Sequence, residues 1–480
     1  MKTIRFAANN LVYCLLFLLV IISSIFLFLS FKPVLAVIPG LFVLFVLLLI
    51  SYPNLGYYTV IFLIPFASLC VISAKISYLK VHWIITLVLI LLIFIHSLVC
   101  DRSLSKLGSN LWPWLLSFFA VNVIASILSS HFTETLPNLF LVFLGCLFFA
   151  VNILFISRDG FRKTLPLVLI AGISLSSLTA LLGEIFNISI FLSGITEGTR
   201  RSTGGTTDPN MLAIMSVFCI PLLFHMFFTT KNKMKRFFVL FLTLINVGAL
   251  VSTYSRSGAV AFCMTVLLLL FVYKHKFRPV HTGILISATF IIILSVSLFV
   301  PASYWKRQKN MTAVRTDRSI SRRLAYLKIG LDIFKKHPVI GNGPGTFGQY
   351  YSKSAYALHF ANIVKGEYRE NQFKRAAHNT YLEVLTGTGI IGLFFYLLII
   401  FVSLHNFYSA FKKAMCNNDR QLASIIQAYL VSFIALLFYM LFISYVSGKL
   451  LILCLAISSV AYKLTSQNNP EEKDSTAKLI

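Results

Sequence analysis

The stretch His378-Asn-Thr-Tyr-Leu-Glu-Val-Leu-Thr-Gly-Thr-Gly-Ile-Ile-Gly392 joins the longest polar loop of the chain to an apolar span that begins near Gly389. A histidine at a membrane surface is a titratable group suited to general-base chemistry. Gly389 and Gly392 form a Gly-x-x-Gly pair that lets a helix start in close contact with a neighbouring segment. Taken alone, the stretch is equally consistent with a histidine that only caps the top of a membrane helix.

The composition of the chain is that of a membrane protein. Of its 480 residues, 58% are hydrophobic and 12% are charged, and the mean hydropathy is +0.85. No water-soluble domain of this size hides so much apolar surface, so the sequence predicts an all-α polytopic membrane protein with about 12–14 transmembrane helices. The first apolar run is too long for a signal-peptide core and is expected to be retained as a span. Runs of crossing length lie near 11–31, 34–51, 57–75, 82–100, 111–129, 137–156, 165–186, 211–229, 236–253, 257–273, 282–301, 389–406, 424–444 and 446–462.

The spans and the long loop divide the chain into four predicted parts. They are an N-terminal transmembrane bundle (1–301), a large extracytoplasmic loop with an amphipathic helix (302–388), C-terminal transmembrane helices (389–463) and a disordered cytoplasmic tail (464–480).

Charge predicts which way the chain crosses the membrane. The net charge of +27 suits an anionic lipid surface or a phosphorylated substrate, and not nucleic acid, because much of it lies in loops between spans. With the N-terminus inside, the inner segments hold twenty lysines and arginines and the short outer loops hold seven. The positive-inside rule therefore predicts two cytoplasmic termini and an outward-facing long loop. A transfer reaction on that outer face needs a donor that was activated before it crossed the membrane.

Neither the cysteines nor the acidic residues form a pattern typical of a metal site. The eight cysteines are scattered, mostly within apolar runs, without disulfide or metal-ligand spacing. Asp208, Asp317 and Asp332 are isolated, and Glu367 and Glu370 lie among basic residues. We expect no metal and no cofactor.

Two arginine-containing turns fall on the predicted outer face. The loop 199–210 contains Arg200 and Arg201, which either anchor to lipid headgroups or grip phosphate oxygens like a fork. Asn210 is expected to cap the span that follows this loop. Arg256 lies in a tight turn between two spans, at or near the hydrocarbon edge, where it either snorkels to water or binds an anion.

The long loop contains one clear helical pattern, which opens at Ser321. An apolar stripe at helical spacing follows, and lysines precede a His-Pro pair that ends the helix. The stripe predicts a helix that lies on the membrane or covers a cavity, with Arg322 or Arg323 at its start. The glycine-rich run 341–345 lacks the lysine of a phosphate-binding loop and is interpreted as a turn. The stripe consists of Leu324, Leu327, Leu331 and Phe334.

Four short motifs occur in order over residues 200–400. They are Arg201, Gly204, Pro209 and Asn210; Ser255, Arg256 and Gly258; Arg323-Leu324, His337-Pro338, Gly341, Gly343 and the Gly345/Phe347 region; and His378-Asn379 with Gly389 and Gly392. In these residues and in the position of the large loop, the chain resembles the O-antigen ligase and O-antigen polymerase superfamily of bacterial envelope glycosyltransferases.

The resemblance implies an outward-facing, metal-independent glycosyltransferase in the bacterial cytoplasmic membrane. Such an enzyme moves a glycan from a polyprenyl diphosphate carrier to a hydroxyl of a glycan, lipid or protein acceptor. His378 would activate the acceptor hydroxyl, and Arg201, Arg256 and Arg323 would bind the diphosphate. The supporting residues would be Asn210, Asn379, Gly389 and Gly392. Ligase and polymerase share this pattern, so both remain open.

Two other classes of protein are alternatives to this hypothesis. A transporter or flippase of an anionic, lipid-linked substrate predicts basic residues along a path through the spans, whereas here they cluster on one face. A purely structural membrane scaffold does not explain why Arg256 lies at or near the hydrocarbon edge. The transporter is the main alternative.

Overall fold

The structure, a computed structural model, describes residues 51–73, 76–80, 83–91, 107–194, 200–273, 318–360 and 374–466. The predicted spans at 11–31, 34–51 and 282–301 lie outside these residues, as do half of the span at 82–100 and most of the predicted tail. The chain divides into two compact units, residues 1–60 with 81–103 and residues 61–80 with 104–480. All of the candidate site residues belong to the second unit.

Helices dominate the described residues. Seven of the described helical segments are long and apolar enough to cross a membrane, and two shorter apolar helices, α2 and α7, accompany them. The predicted all-α polytopic class is confirmed. The helices are α1 (Pro53–Phe62), α2 (Trp112–Ile127), α3 (Phe132–Phe155), α4 (Leu165–Ile185), α5 (Pro209–Thr229), α6 (Lys233–Ser252), α7 (Arg256–Val272), α8 (Arg318–Lys336), α9 (Phe347–Ser352), α10 (Ala355–Phe360), α11 (Thr380–Cys416), α12 (Arg420–Tyr439) and α13 (Lys449–Ser466). Residues 83–91 are also helical.

The predicted span at 57–75 is wrong. Helix α1 ends at Phe62, and a short 3₁₀ turn, Ile64–Phe66, follows it. Pro65 lies in that turn, where its ring and missing N–H oppose continuation of the α-helix. The chain then forms an antiparallel hairpin of β1 (Val71–Ser73) and β2 (Ile76–Lys80), in which Val71 pairs with Lys80.

The helix expected to begin near Gly389 begins nine residues earlier, at Thr380. Asn379 caps it by accepting hydrogen bonds from the backbone N–H of Tyr381 (3.0 Å) and Leu382 (3.1 Å). The helix then breaks at Gly389, whose φ of 65° and ψ of −165° are not helical. Two helical segments therefore meet at the predicted start.

Two helices organise the packing of the second unit. Helix α11 packs against α2, α12 and α13, and α5 packs against α4, α6, α7 and α12. Helix α12 contacts members of both groups, and it is among the most buried of the candidate spans. Its C-terminal end is therefore placed to join residues carried by different parts of the bundle.

Helix α8 lies across α11 with two apolar faces. The face that packs inward carries Tyr326, Ile329 and Ile333, together with residues of α9, α10 and the start of α11. The predicted stripe points the other way, since Leu324 and Leu327 are 50% and 46% exposed. The stripe thus turns away from the protein, because the bulkier aromatic and β-branched face fills the core.

Candidate active site

His378 stands immediately before the first cap of α11 and does not cap the helix itself. That role belongs to Asn379, so the simple capping interpretation of His378 is wrong. His378 adopts a left-handed backbone conformation, with φ of 49°, which turns the chain sharply into the helix. Its ring stacks on Tyr326 of α8, with the ring centroids 5.7 Å apart and the planes inclined by 22°.

The surroundings of His378 favour a neutral imidazole. Burial lowers the pKa of His378 from its ordinary value of 6.5, and the positive charges of Arg323, Arg375 and Arg322 lower it further. The carboxylate of Asp208 acts in the opposite direction, and the net shift of the pKa is downward. A neutral imidazole has a free lone pair, so this side chain can accept a proton.

Arg323 is held over an aromatic ring beside this histidine. Its guanidinium carbon lies 5.3 Å from the centroid of the Phe442 ring, a cation–π contact. Arg323 and Tyr326 are three residues apart on α8, so they are neighbours on its surface. Burial raises the pKa of the Tyr326 phenol to about 12, which keeps it protonated while it supports the imidazole.

The turns that carry Arg201 and Arg256 are fastened together by hydrogen bonds. The guanidinium of Arg201 donates through Nε to the carbonyl of Thr253 (2.7 Å) and through Nη2 to Oδ1 of Asn210 (3.2 Å). Ser255 donates to the same Oδ1 at 2.9 Å. Asn210 thus connects the two turns.

Asn210 does not cap α5 as expected. Asp208 is the cap residue, and its Oδ1 accepts a hydrogen bond from the backbone N–H of Asn210 at 2.7 Å. Pro209 between them occupies the first helical position, where its missing N–H costs nothing. The Asn210 side chain is therefore available to bind Arg201 and Ser255.

Arg256 is the first residue of α7. Ser255 caps the helix by accepting a hydrogen bond from the backbone N–H of Gly258 at 3.1 Å. The N-terminal end of a helix carries partial positive charge, so the half-buried Arg256 adds a full charge to an end that already favours anions. An anionic group fits this position better than a neutral one.

Glu184 stabilises the same two turns, although none of the sequence motifs includes it. Its carboxylate accepts hydrogen bonds from Ser202 (2.7 Å) and from the hydroxyl of Tyr254 (3.3 Å), which flank Arg201 and Arg256 in sequence. The available signal was an isolated acidic residue near the end of an apolar run. Burial, with the charge of Glu184, raises the pKa of Tyr254 to about 12.

The C-terminal end of α12 links the arginine turns to the histidine. The Tyr439 hydroxyl lies 3.1 Å from Oγ of Ser255, and Phe442, three residues on, lies under Arg323. Between them, the carbonyl of Met440 accepts a hydrogen bond from the N–H of Thr380 at 2.9 Å. Segments far apart in sequence therefore meet around one helix end.

Gly389 permits the loop after α8 to dock on the break in α11. The N–H of Gly343 donates to the carbonyl of Gly387 (2.9 Å), and the N–H of Ile390 donates to the carbonyl of Pro338 (2.9 Å). A Cβ on Gly389 would lie 2.2 Å from the carbonyl oxygen of Val339. Gly392 is similarly crowded, by the side chain of Thr388. Gly389 therefore sets the close approach between α11 and the loop after α8, whereas Gly392 makes room for a side chain of α11 itself.

Metal ligands do not cluster in the described ranges. There, no group of three or more His, Cys, Asp or Glu side chains could hold an ion. The expectations of no metal and no cofactor stay predictions.

These features are those of a multi-pass membrane protein with a histidine and several arginines close together. The two arginine-bearing turns, α8 and the start of α11 meet at one end of α12. A family model described as O-Antigen ligase matches residues 238–397, which include Arg256, Arg323, His378, Gly389 and Gly392.

The matched segment is therefore similar to the O-antigen ligase family, in agreement with the resemblance of its motifs. The match supports a glycosyltransferase-like function in polysaccharide biosynthesis. Arg201 and Asn210 precede the matched residues, and the structure joins them to the matched segment through Ser255. A search of the curated proteins found no match to this chain.

Proposed function

We propose that this protein transfers an oligosaccharide from a polyprenyl diphosphate carrier to an acceptor hydroxyl, on the outer face of the bacterial cytoplasmic membrane. The observation that carries the proposal is the environment of His378, in which burial and neighbouring arginines hold the imidazole neutral. A neutral base beside fixed positive charge suits a reaction that takes a proton from an alcohol and releases an anion.

In the proposed reaction His378 takes the proton of the acceptor hydroxyl as the oxygen attacks the anomeric carbon of the donor sugar. The bond between that carbon and the diphosphate oxygen breaks, and its electron pair leaves with the polyprenyl diphosphate. The imidazolium then releases its proton to water, which restores the neutral base. Arg323 beside the imidazole favours that release.

Arginines supply the positive charge that the leaving diphosphate needs. Arg201 is oriented by Thr253 and Asn210, and Arg256 lies at the N-terminal end of α7. Arg323 is positioned by Phe442 and sits next to the base. Guanidinium groups bind phosphate oxygens in a bidentate manner, so the reaction is proposed to proceed without a metal ion.

The location of these arginines favours a transferase over a flippase. Arg201 lies in a turn, Arg323 is on α8, and Arg256 is at a helix terminus. A path for an anion across the membrane needs cations at several depths, whereas these residues gather at one end of α12.

The test measures glycan transfer by purified protein in EDTA, with a polyprenyl-diphosphate oligosaccharide as donor and products separated on a gel. Loss of the base in His378→Ala is expected to lower turnover roughly 10²–10⁴-fold. Loss of a group that stabilises the leaving charge in Arg256→Ala is expected to lower it roughly 10²-fold or more. A single shift of the product indicates a ligase, and a ladder indicates a polymerase.

Matched controls separate chemistry from folding. His405→Ala removes an exposed histidine from α11, the helix that begins just after His378. Arg158→Ala removes an exposed arginine. Both are expected to match wild type. Wild-type turnover in His378→Ala and Arg256→Ala would disprove the mechanism, and activity that requires added Mg²⁺ would disprove its metal independence.

A further inference from the structure

A cavity of about 480 Å³ lies beside the candidate active site and is not used by the chemistry proposed above. His378, Arg201, Arg256 and Arg323 are not among its lining residues. Its wall includes Arg375 and Glu383, which flank His378 in sequence on either side. Its volume falls within the roughly 300–1,000 Å³ of sites that bind small ligands.

Both acidic and basic side chains line this cavity, whereas the charges that act on His378 are mostly positive. Its acidic lining residues are Glu134 and Glu383, and its basic lining residues are Lys374 and Arg375. Lys374 and Glu134 form an ion pair, with Nζ and Oε1 separated by 3.2 Å. Because acidic groups lie beside its basic ones, this cavity is less suited to a diphosphate than the arginines around His378 are, and it suits an uncharged polar group.

Both hydrogen-bonding and apolar groups line the cavity wall. Asn138 and Gln349 line it with carboxamides, each of which can both donate and accept hydrogen bonds. Phe118 and Tyr445 line it with aromatic rings. A sugar ring has hydroxyls at its edge and C–H groups on its faces, so it matches both kinds of surface.

The carboxylate of Glu383 is held in place and connects the cavity to the histidine. It accepts a hydrogen bond from the backbone N–H of Ala377 at 2.9 Å and from the hydroxyl of Ser444 at 2.9 Å. Ala377 is adjacent to His378, so the same hydrogen bond ties the backbone just before the histidine to a residue of the cavity wall. A group bound in the cavity therefore lies against Arg375 and Ala376, which lead into the histidine.

We infer that this cavity is a saccharide subsite, which binds sugar residues of the donor or of the acceptor while their reacting ends meet at His378. The inference rests on the proposed function for the identity of its ligand. The binding chemistry is the same for either source: carboxylate and carboxamide groups bind hydroxyls, and aromatic rings pack on sugar faces.

The test combines binding and kinetics on the full-length protein. The binding probe is the free oligosaccharide released by mild acid from the host's own polyprenyl-diphosphate glycans, and the second probe is farnesyl diphosphate. The double variant Asn138→Ala/Gln349→Ala is expected to bind the oligosaccharide about tenfold more weakly, because two neutral hydrogen bonds are lost. Its affinity for farnesyl diphosphate is expected to be unchanged.

The kinetic measurements identify the source of the sugar. A rise confined to the KM for the donor assigns the cavity to the donor glycan, and a rise confined to the KM for the acceptor assigns it to the acceptor. Gln421→Ala, which removes an exposed carboxamide from α12, is the matched control and should leave every value at the wild-type level.

Failure of the subsite and failure of the transferase give different results. His378→Ala should keep wild-type affinity for the oligosaccharide, so binding is tested even where no transfer occurs. The inference is overturned if the double variant and Gln421→Ala have the same oligosaccharide affinity and the same two KM values. It is also overturned if the wild type binds farnesyl diphosphate but not the oligosaccharide.

Discussion

At the scale of single residues, the candidate chemistry depends on how His378 is surrounded. Burial and three arginines lower its pKa, one aspartate raises it, and Tyr326 holds the ring in a stack. The histidine must be neutral to act as a base. Activity is therefore expected to fall as the pH drops through the lowered pKa, on the acid side of the ordinary value of 6.5.

The fall of activity at low pH is the acid limb of the pH–rate profile, and two substitutions should move it in opposite directions. Arg323→Gln removes a positive charge that lowers the pKa of His378, so the pKa rises and the limb moves to higher pH. Asp208→Asn removes the negative charge that raises it, so the limb moves to lower pH. The measurement is kcat against pH for each variant.

For both variants, a shift of the acid limb can be separated from other effects of the substitution. Asn also caps helices, so Asp208→Asn keeps the start of α5. Arg323→Gln is expected to lower kcat at every pH as well, but only a change in the electrostatics of His378 moves the limb. Arg158→Gln should leave the limb in place. Identical limbs in all variants would show that His378 is not the group that titrates.

At the scale of elements, the break in α11 is what joins the histidine to the arginine-bearing helix. The loop 338–343 supplies backbone groups that bond to residues 386–391, so the helix is interrupted without leaving those groups unpaired. Gly389 makes the close approach possible because it has no Cβ and adopts a positive φ.

Gly389→Ala is therefore expected to destabilise the protein by about 2 kcal/mol or more, through backbone strain and overlap with Val339. The matched control is Gly145→Ala in α3, where the new Cβ would lie 3.5 Å from Ile452, an ordinary contact. The measurement is the midpoint of thermal unfolding in detergent. Equal midpoints for the two variants would contradict the role given to this break.

At the scale of the whole second unit, the described turns fall at two ends of the bundle. One end joins Asn210, Ser255, Tyr439 and the start of α11. At the other end, Arg162 and Asp419 form an ion pair between the connections that precede α4 and α12. The positive-inside count predicts that the first end faces outward.

Cysteine labelling tests this orientation. In a cysteine-free background, Arg200→Cys is expected to react with a membrane-impermeant maleimide in intact spheroplasts. Lys231→Cys, on the opposite end, is expected to react only after the membrane is permeabilised. Both positions are exposed, so a difference in labelling reports the side of the membrane. The reverse pattern would place the candidate site in the cytoplasm and contradict the proposed donor.

Much of this fold follows from local sequence. The spans from 111 to 273 and after 389 were predictable because a crossing helix needs a long apolar run, and the structure has helices at each of them. The split before Arg256 was also predictable from a short polar interruption. The errors arose where local signals competed, as at Pro65 in the span 57–75 and at Asp208 beside Asn210.

By itself, the sequence determined the membrane class, the order of the spans and the residue types that meet at the site, since apolar length and motif spacing are local properties. Only the tertiary structure decided that Asn379 and not His378 caps α11, that the leucine stripe of α8 faces outward, and that Glu184, Tyr439 and Phe442 support the site. These outcomes depend on which distant segments pack together, because hydrogen bonds and pKa shifts are set by neighbours in space.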